Sequence, residues 1–467
     1  MKSAKVKIKK LFIYITSLFV IIIFSASQGR SFLSTKDETE LGERFLKRIQ
    51  SQFELAEYPY VIEYINNLGL YIGRQIEVPY FPLNFYVIKD NTVNAFAAPA
   101  GHVFFFSGLI TLMENIDELA SVLAHELGHV SGRHLALRIE RSKKIGLATM
   151  AGILAGVLIG GEAAGALMTG SIAAGIQAEL GYSRDNERQA DQLGLKYTSN
   201  SGFDPWGMVT TLKKMQRERW YSQGNTPSYL LTHPGAAERM AAIETMAGAC
   251  KIIPDSDETK RLRSDFPLFH AMVMALCSDR AYAVSEFNKT LQKDGRSPIA
   301  HYGLGLISEK DGSVKEALDH FKTAQEEMPD SIPIMFSICK AYHDTGQYIK
   351  TLPILREALK KAPKDKAIMN LLALSLQELE LYEEALRIYK KLIFLPSVKD
   401  SVYYNLGVIY GRQGKLSLAH YNLGIYFTRL KRKEKARFHF KKAQESTEGD
   451  QVLLEKIDKA LKEIVNR

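Results

Sequence analysis

The stretch Ser121–His134, SVLAHELGHVSGRH, decides how the first half of the chain is read. Its apolar residues Val122, Leu123, Leu127 and Val130, with Leu119 just before them, recur at helical spacing, so the segment predicts a buried helix. Set into that helix are His125, Glu126 and His129, as H-E-x-x-H. Positions i and i+4 share one helix face, so the two imidazoles can hold one ion together, with Glu126 one step round beside it. Gly128 leaves room for a neighbouring backbone. Two histidines that serve only the core would leave the same spacing, so the motif needs a third ligand before it carries chemistry.

NERQAD (186–191) offers that ligand. Glu187 and Asp191 are again i and i+4, on a helix predicted to open near Arg184 and to end in a Ser/Asn/Gly cluster before Pro205. Glu187 can complete the set, and Asp191 can accept the outer N–H of a metal-bound histidine and so fix its tautomer. The separation of 58 positions from His129 to Glu187 requires a second helix packed against the first. Two histidines and a glutamate with one open position form a hydrolytic zinc centre, so the expected cofactor is one Zn2+ per chain. In such a centre Glu126 is the catalytic base, taking a proton from an activated water and later giving it to the leaving amine.

The chain has 467 residues, 46% of them hydrophobic, enough for two or three packed units. Its first thirty residues place five lysines before an apolar run, Leu11–Phe24, and then SAS. This is the order of a secretory signal, expected at 1–27; the 14-residue run is short for a span, with an uncleaved signal-anchor as the alternative. Loss of Lys2, Lys5, Lys7, Lys9 and Lys10 takes the net charge from +9 to +4, too mild to argue for nucleic acid. The basic stretch RLKRKEKARFHFKK (429–442) reads as a solvated helix face. Cys250, Cys277 and Cys339 are too few for a disulfide framework and lack metal-ligand spacing, so free thiols are expected, with a Cys250–Cys277 bridge as the alternative.

Helical spacing covers residues 35–75, and LNFYVIKD and GHVFFFSG read as strands separated by the turn-flanked NTVNAFAAPA. The motif helix is expected from about Asn115, with Asn115 and Glu118 spaced as a capping box, to about Arg141. GHVFFF is expected as an exposed sheet edge that could pair with an extended peptide, with an ordinary core strand as the alternative. Residues 145–178 are rich in Gly and Ala and broken only by Glu162; they fit a flap, close-packed helices or a membrane-touching hairpin. The second half repeats every 34 residues. Units open at Pro298, Ile332, Lys366 and Asp400, with small Ala and Gly positions where paired helices approach and aromatics between pairs; a degraded unit opens at Ser264. NLGIYFTRLKRKEKARFHFKKA restarts the pattern 17 residues after Gly407, as a truncated unit plus a capping helix. The fold class is thus an α+β zincin-like metallopeptidase domain at 28–252, mostly helical with a small sheet. A linker at 253–263 and an all-α tetratricopeptide-repeat solenoid at 264–467 follow.

H-E-x-x-H, E-x-x-x-D, NAFAAPAGHVFFFSGL before them and THP after, between a signal and such repeats, resemble the beta-barrel assembly-enhancing protease family, periplasmic zinc metalloendopeptidases related to the Ste24 proteases. The resemblance implies zinc on His125, His129 and Glu187, Glu126 as base, and a role in outer-membrane protein quality control. It implies unfolded or misassembled proteins as substrates, and outer-membrane assembly machinery as a partner of the repeats. His233, held extended by Pro234, could fill the fourth zinc position and make a latent enzyme, or swing aside and stabilise an oxyanion; the resemblance implies the first. Arg239 is a candidate for holding that loop or a substrate carbonyl. Two rival readings stand beside this one. One is a repeat-based chaperone or scaffold with latent proteolysis. The other is a membrane-embedded metallopeptidase, or one in peripheral membrane contact, through 145–178.

Overall fold

A computed structural model describes residues 34–141, 183–221, 227–396 and 398–466. The expected signal at 1–27 and the Gly/Ala-rich stretch 145–178 lie outside them. Two compact units divide at Val273/Met274.

The first unit opens with α1 (Thr35–Gln52), capped by Ser34, whose hydroxyl accepts from the Asp37 N–H. α2 (Pro59–Gly73) follows. The helical spacing over 35–75 thus resolves into two helices, because Pro59 holds Tyr58 extended and Leu55 bridges to Ile88. Three strands form one sheet: β1 (Asn84–Ile88), β2 (Ala95–Ala98) and β3 (His102–Phe106), in the order β1-β3-β2. β3 pairs parallel with β1 and antiparallel with β2. GHVFFF is therefore the central strand and not the open edge that its sequence predicts. The edge near the motif is β2, from the stretch that reads as turn-flanked. Phe96 stacks on Phe104 at 5.1 Å, and Phe45 of α1 meets Phe96 edge-on at 6.0 Å, joining sheet and helix through fully buried rings.

α3 (Ser107–Leu112) leads to α4 (Ile116–Ser131), the motif helix. Asn115 caps it by accepting from Glu118 N–H at 3.1 Å. The Glu118 carboxylate accepts instead from Glu114 N–H and from Lys214, so only half of the capping box forms. The helix ends ten residues short of Arg141, at Gly132 and Arg133, and α5 (His134–Arg141) resumes after the break. Next come α6 (Arg184–Asn200), α7 (Trp206–Tyr221), α8 (Ser228–Thr232) and α9 (Ala236–Ala249). α10 (Asp257–Cys277) occupies much of the stretch expected as a linker. Its early turns belong to the first unit: Tyr64 donates to Leu262 O at 2.8 Å and stacks on Phe269 at 4.3 Å, while Arg263 donates to Asp117 and to Gly202 O.

The second unit is wholly helical among the described residues. α11 (Arg280–Lys293) precedes the pairs α12 (Pro298–Lys310) with α13 (Val314–Glu327), α14 (Ile332–Asp344) with α15 (Tyr348–Lys361), and α16 (Lys366–Glu378) with α17 (Tyr382–Leu392). α18 (Ser401–Arg412), α19 (Leu416–Arg429), α20 (Lys433–Glu445) and α21 (Gln451–Asn466) close it. The repeat alanines Ala317, Ala324, Ala358 and Ala385 are fully buried, with Phe321 and Tyr389 filling the space between pairs. The 17-residue restart has a simple cause: α19 packs against both α18 and α20, ending one pair and beginning the next. Accordingly His420 of α19 bonds His439 of α20 Nδ1 to Nδ1 at 2.9 Å, as His301 of α12 bonds His320 of α13. On α20, Ala436, Phe440 and Ala443 face the core and the lysines face solvent. All three cysteines are free thiols.

Candidate metal centre

α4 and α6 cross at unusually short range because both carry glycine at the contact. A Cβ on Gly128 would lie 2.8 Å from Ala190 O, and one on Gly194 would lie 3.0 Å from the His125 backbone. That approach brings Glu187 and Asp191 of α6 against His125 and His129 of α4. His125 Nε2 lies 3.1 Å from His129 Nε2 and 3.6 Å from Glu187 Oε2; His129 Nε2 lies 3.4 Å from Glu187 Oε1. His233, just after α8, joins them, with Nδ1 3.4 Å from His125 Nε2 and 3.2 Å from Glu187 Oε1. One ligand atom from each of the four residues lies within 4.8 Å of the others, and all four residues are at most 2% exposed.

Three imidazole nitrogens and a carboxylate oxygen that converge away from water cannot satisfy one another, since each close N···N pair has room for one proton. A divalent cation satisfies all four, and a donor set of three histidines and one glutamate at this spacing suits a four-coordinate borderline ion. The residues therefore fit the metal that the motif implies.

The charges around the cluster are arranged to the same end. Burial alone would raise the Glu187 carboxyl, yet His233, His125 and His129 hold it well below the usual carboxylate range. Burial would likewise lower His125, but Asp191 and Glu187 outweigh it and lift the imidazole to about 9. Asp191 Oδ1 sits 3.1 Å from His125 Nδ1, a charge contact that favours a proton on Nδ1 and leaves the lone pair on Nε2, which faces the cluster. His129 is pushed well down by burial, only partly countered by Glu187. Arg239 is buried against both acids: Nε and Nη2 donate to Asp191 at 2.8 and 2.6 Å, and Nη1 donates to Glu187. Nη1 also reaches Pro234 O at 3.3 Å, so the arginine holds the His233 loop as well as the acids. Glu126 is fully buried and its carboxyl is raised, by burial first, with His233 and His125 opposing. Its Oε1 lies 3.4 Å from His233 Nε2, and the backbone of Ala97 in the edge strand β2 also opposes the rise.

Every site residue expected from the sequence thus meets at one place. Three contributors are not evident from the sequence. Tyr229 stacks on His233 at 4.3 Å and its N–H donates to Val93 O, just before β2. His134 lies against His129, and Gln189 lies against His134, each at 3.0 Å. A histidine five positions after a ligand histidine has no helical reason to touch it, so spacing gives no signal.

Residues 60–247 match the family described as Peptidase family M48, and residues 278–332 match the tetratricopeptide repeat. The beta-barrel assembly-enhancing protease of Escherichia coli (strain K12) is 34% identical over 214 residues, 45% of this chain and 44% of that one. The putative beta-barrel assembly-enhancing protease of Vibrio cholerae is 28% identical over 338 residues, 71% of this chain and 62% of that one. The mitochondrial metalloendopeptidase OMA1 of Schizosaccharomyces pombe is 31% identical over 159 residues, 34% of this chain and 45% of that one. The chain spans less than half the length of the first of these relatives. The chain thus carries a peptidase family M48 domain over residues 60–247, followed by tetratricopeptide repeats, and is homologous to the beta-barrel assembly-enhancing proteases.

Proposed function

We propose that the chain is a periplasmic zinc-dependent metalloendopeptidase that removes unfolded or misassembled proteins, its repeats binding substrate or assembly machinery. The observation that carries this reading is the buried convergence of His125, His129, Glu187 and His233 with Glu126 beside them. Zinc held there would polarise the scissile carbonyl and make a water acidic enough to attack near neutral pH. Asp191 orients His125, and Arg239 keeps Asp191 and Glu187 ionised and in place. Glu126, whose carboxyl burial raises, would take a proton from that water and deliver it to the leaving amine. β2 offers its edge to an extended peptide, recognition through backbone groups that tolerates varied side chains. Outer-membrane proteins are the favoured substrate class because the named relatives are beta-barrel assembly-enhancing proteases. The secretory order of residues 1–27 supports the compartment.

In this arrangement His233 would complete the four-donor set while facing Glu126, which would close the site to substrate. That favours a latent enzyme, with His233 as the group that must withdraw. The same observation is what a scaffold with minor proteolysis would display, and turnover separates the two. Wild-type protein with zinc should cleave casein. Glu126→Gln should keep its zinc and lose roughly 10²- to 10⁴-fold in rate, because only the proton transfer is removed. Cleavage at the wild-type rate by Glu126→Gln would refute the mechanism. In cells the inactive protein should hold its substrates for identification.

A further inference from the structure

We propose that His134 is a positioning residue for the metal centre, fixing the tautomer and ring angle of His129 through one hydrogen bond. The inference rests on the reading of His125, His129, Glu187 and His233 as metal ligands. His129 Nε2 faces the cluster, and its other nitrogen, Nδ1, lies 3.0 Å from His134 Nδ1. The far nitrogen of His134, Nε2, lies 3.0 Å from Gln189 Oε1. The end of this chain sets its polarity. A carboxamide oxygen only accepts, so His134 Nε2–H donates to it. Neutral His134 then carries its lone pair on Nδ1, and His129 Nδ1–H donates there. The lone pair of His129 is left on Nε2, aimed at the other three ligand atoms. The opposite tautomer would present an N–H to the cation and could not bind it.

The local backbone is built to make this contact. α4 stops at Ser131, and Arg133 takes φ +48°, a left-handed conformation that such residues seldom enter. Arg133 is held there from two sides: its guanidinium donates to Glu38 at 2.6 Å and lies 5.1 Å over the Tyr80 ring. The turn brings the His134 ring back against His129, with centroids 5.0 Å apart and planes at 82°. Gly132 has ordinary helical dihedrals, φ −74° and ψ −6°, so its backbone does not require glycine. The ring of His134 does: a Cβ at Gly132 would lie 2.4 Å from His134 Nε2. His134 is 1% exposed, so water has little access to take its place. Asp191 orients His125 with a charge, whereas His134 orients His129 without adding a further negative charge beside Glu187 and Asp191.

The test compares full-length wild type with His134→Phe, His134→Asn and Gly132→Ala. Zinc affinity is read by competition with a chelator, and melting is followed in the metal-free protein. His134→Phe removes the acceptor and Gly132→Ala displaces the ring; each should weaken zinc binding roughly 10- to 100-fold. His134→Asn keeps an acceptor oxygen near the position of Nδ1 and should recover most of that loss. Metal-free melting should fall somewhat in Gly132→Ala, because its methyl meets a buried ring, so zinc affinities are compared at a temperature where every metal-free protein is folded. Wild-type affinity in both His134→Phe and Gly132→Ala would overturn the proposal. So would equal weakening in His134→Phe and His134→Asn, because shape alone would then explain the loss. A wild-type protein that binds no zinc would instead refute the metal-site reading on which the proposal rests.

Discussion

Four buried donors share fewer protons than they have facing lone pairs, and the behaviour of single residues follows from that shortage. His233 is the one ligand carried by a short loop, held by the Tyr229 stack and the Arg239 contact to Pro234 O. His233→Ala should therefore keep its metal through His125, His129 and Glu187 while cleaving casein, and itself, faster than wild type. Normal zinc content with slower cleavage would favour an oxyanion role, and an unchanged rate would make His233 a bystander. The residues legible in the sequence are those fixed by helical period: His125 and His129, then Glu187 and Asp191. The ligand role of His233 is legible only beside a resemblance, because its placement depends on a loop, and Arg239 follows from it only as a candidate six residues on. His134 was invisible, since its contact depends on a left-handed turn at Arg133 that no propensity announces.

Among the elements, the crossing of α4 and α6 depends on the absence of side chains at two points. Gly128→Ala places a methyl 2.8 Å from a backbone oxygen, which cannot rotate away. Denaturant unfolding of metal-free protein should show a loss of about 1–3 kcal/mol, and a neutral result would mean that the helices separate freely. The repeats carry a different sensitivity. His320, His420 and His439 are held below the ordinary imidazole value, first by burial; His301 then lowers His320, Lys442 lowers His420, and His420 and Lys435 lower His439. Glu316 and Asp319 oppose the shift at His320, and Glu445 opposes it at His420. Folded pKa values below the unfolded ones mean that the unfolded chain binds more protons, so stability falls as pH falls through that window. Melting of the repeat transition should thus drop between about pH 7.5 and pH 5.5. The drop should shrink in His320→Gln/His439→Gln; an identical slope would rule the pairs out as its source. Helices and repeat period were readable because their patterns are local. The strand order was not, because β3 is central only by virtue of two long-range pairings. The end of α4 was missed because an apolar pattern continues across the break.

For the whole molecule, the division at Val273/Met274 changes where the chain can be cut. The repeat half from Met274 onward should give helical circular dichroism and a cooperative melt by itself, because each repeat needs only its neighbours. The first half ended at Ala249 should not, since it lacks the Phe269 stack on Tyr64 and the Arg263 bonds to Asp117 and Gly202. Ended after Cys277 it should melt cooperatively; equal behaviour of the two truncations would show α10 to be dispensable. The run of polar residues that reads as a linker misled because from Asp257 onward it lies in a helix that makes fixed contacts. This has a bearing on how such chains diversify. A recombination event that exchanged one repeat array for another would do least harm at Ser278–Asp279. There α10 has ended, and Asp279 already supplies the cap for α11 by accepting from Tyr282 N–H. A crossover before Asp257 would carry part of the peptidase away with its repeats, so the seam available to evolution is narrow and lies after the helix.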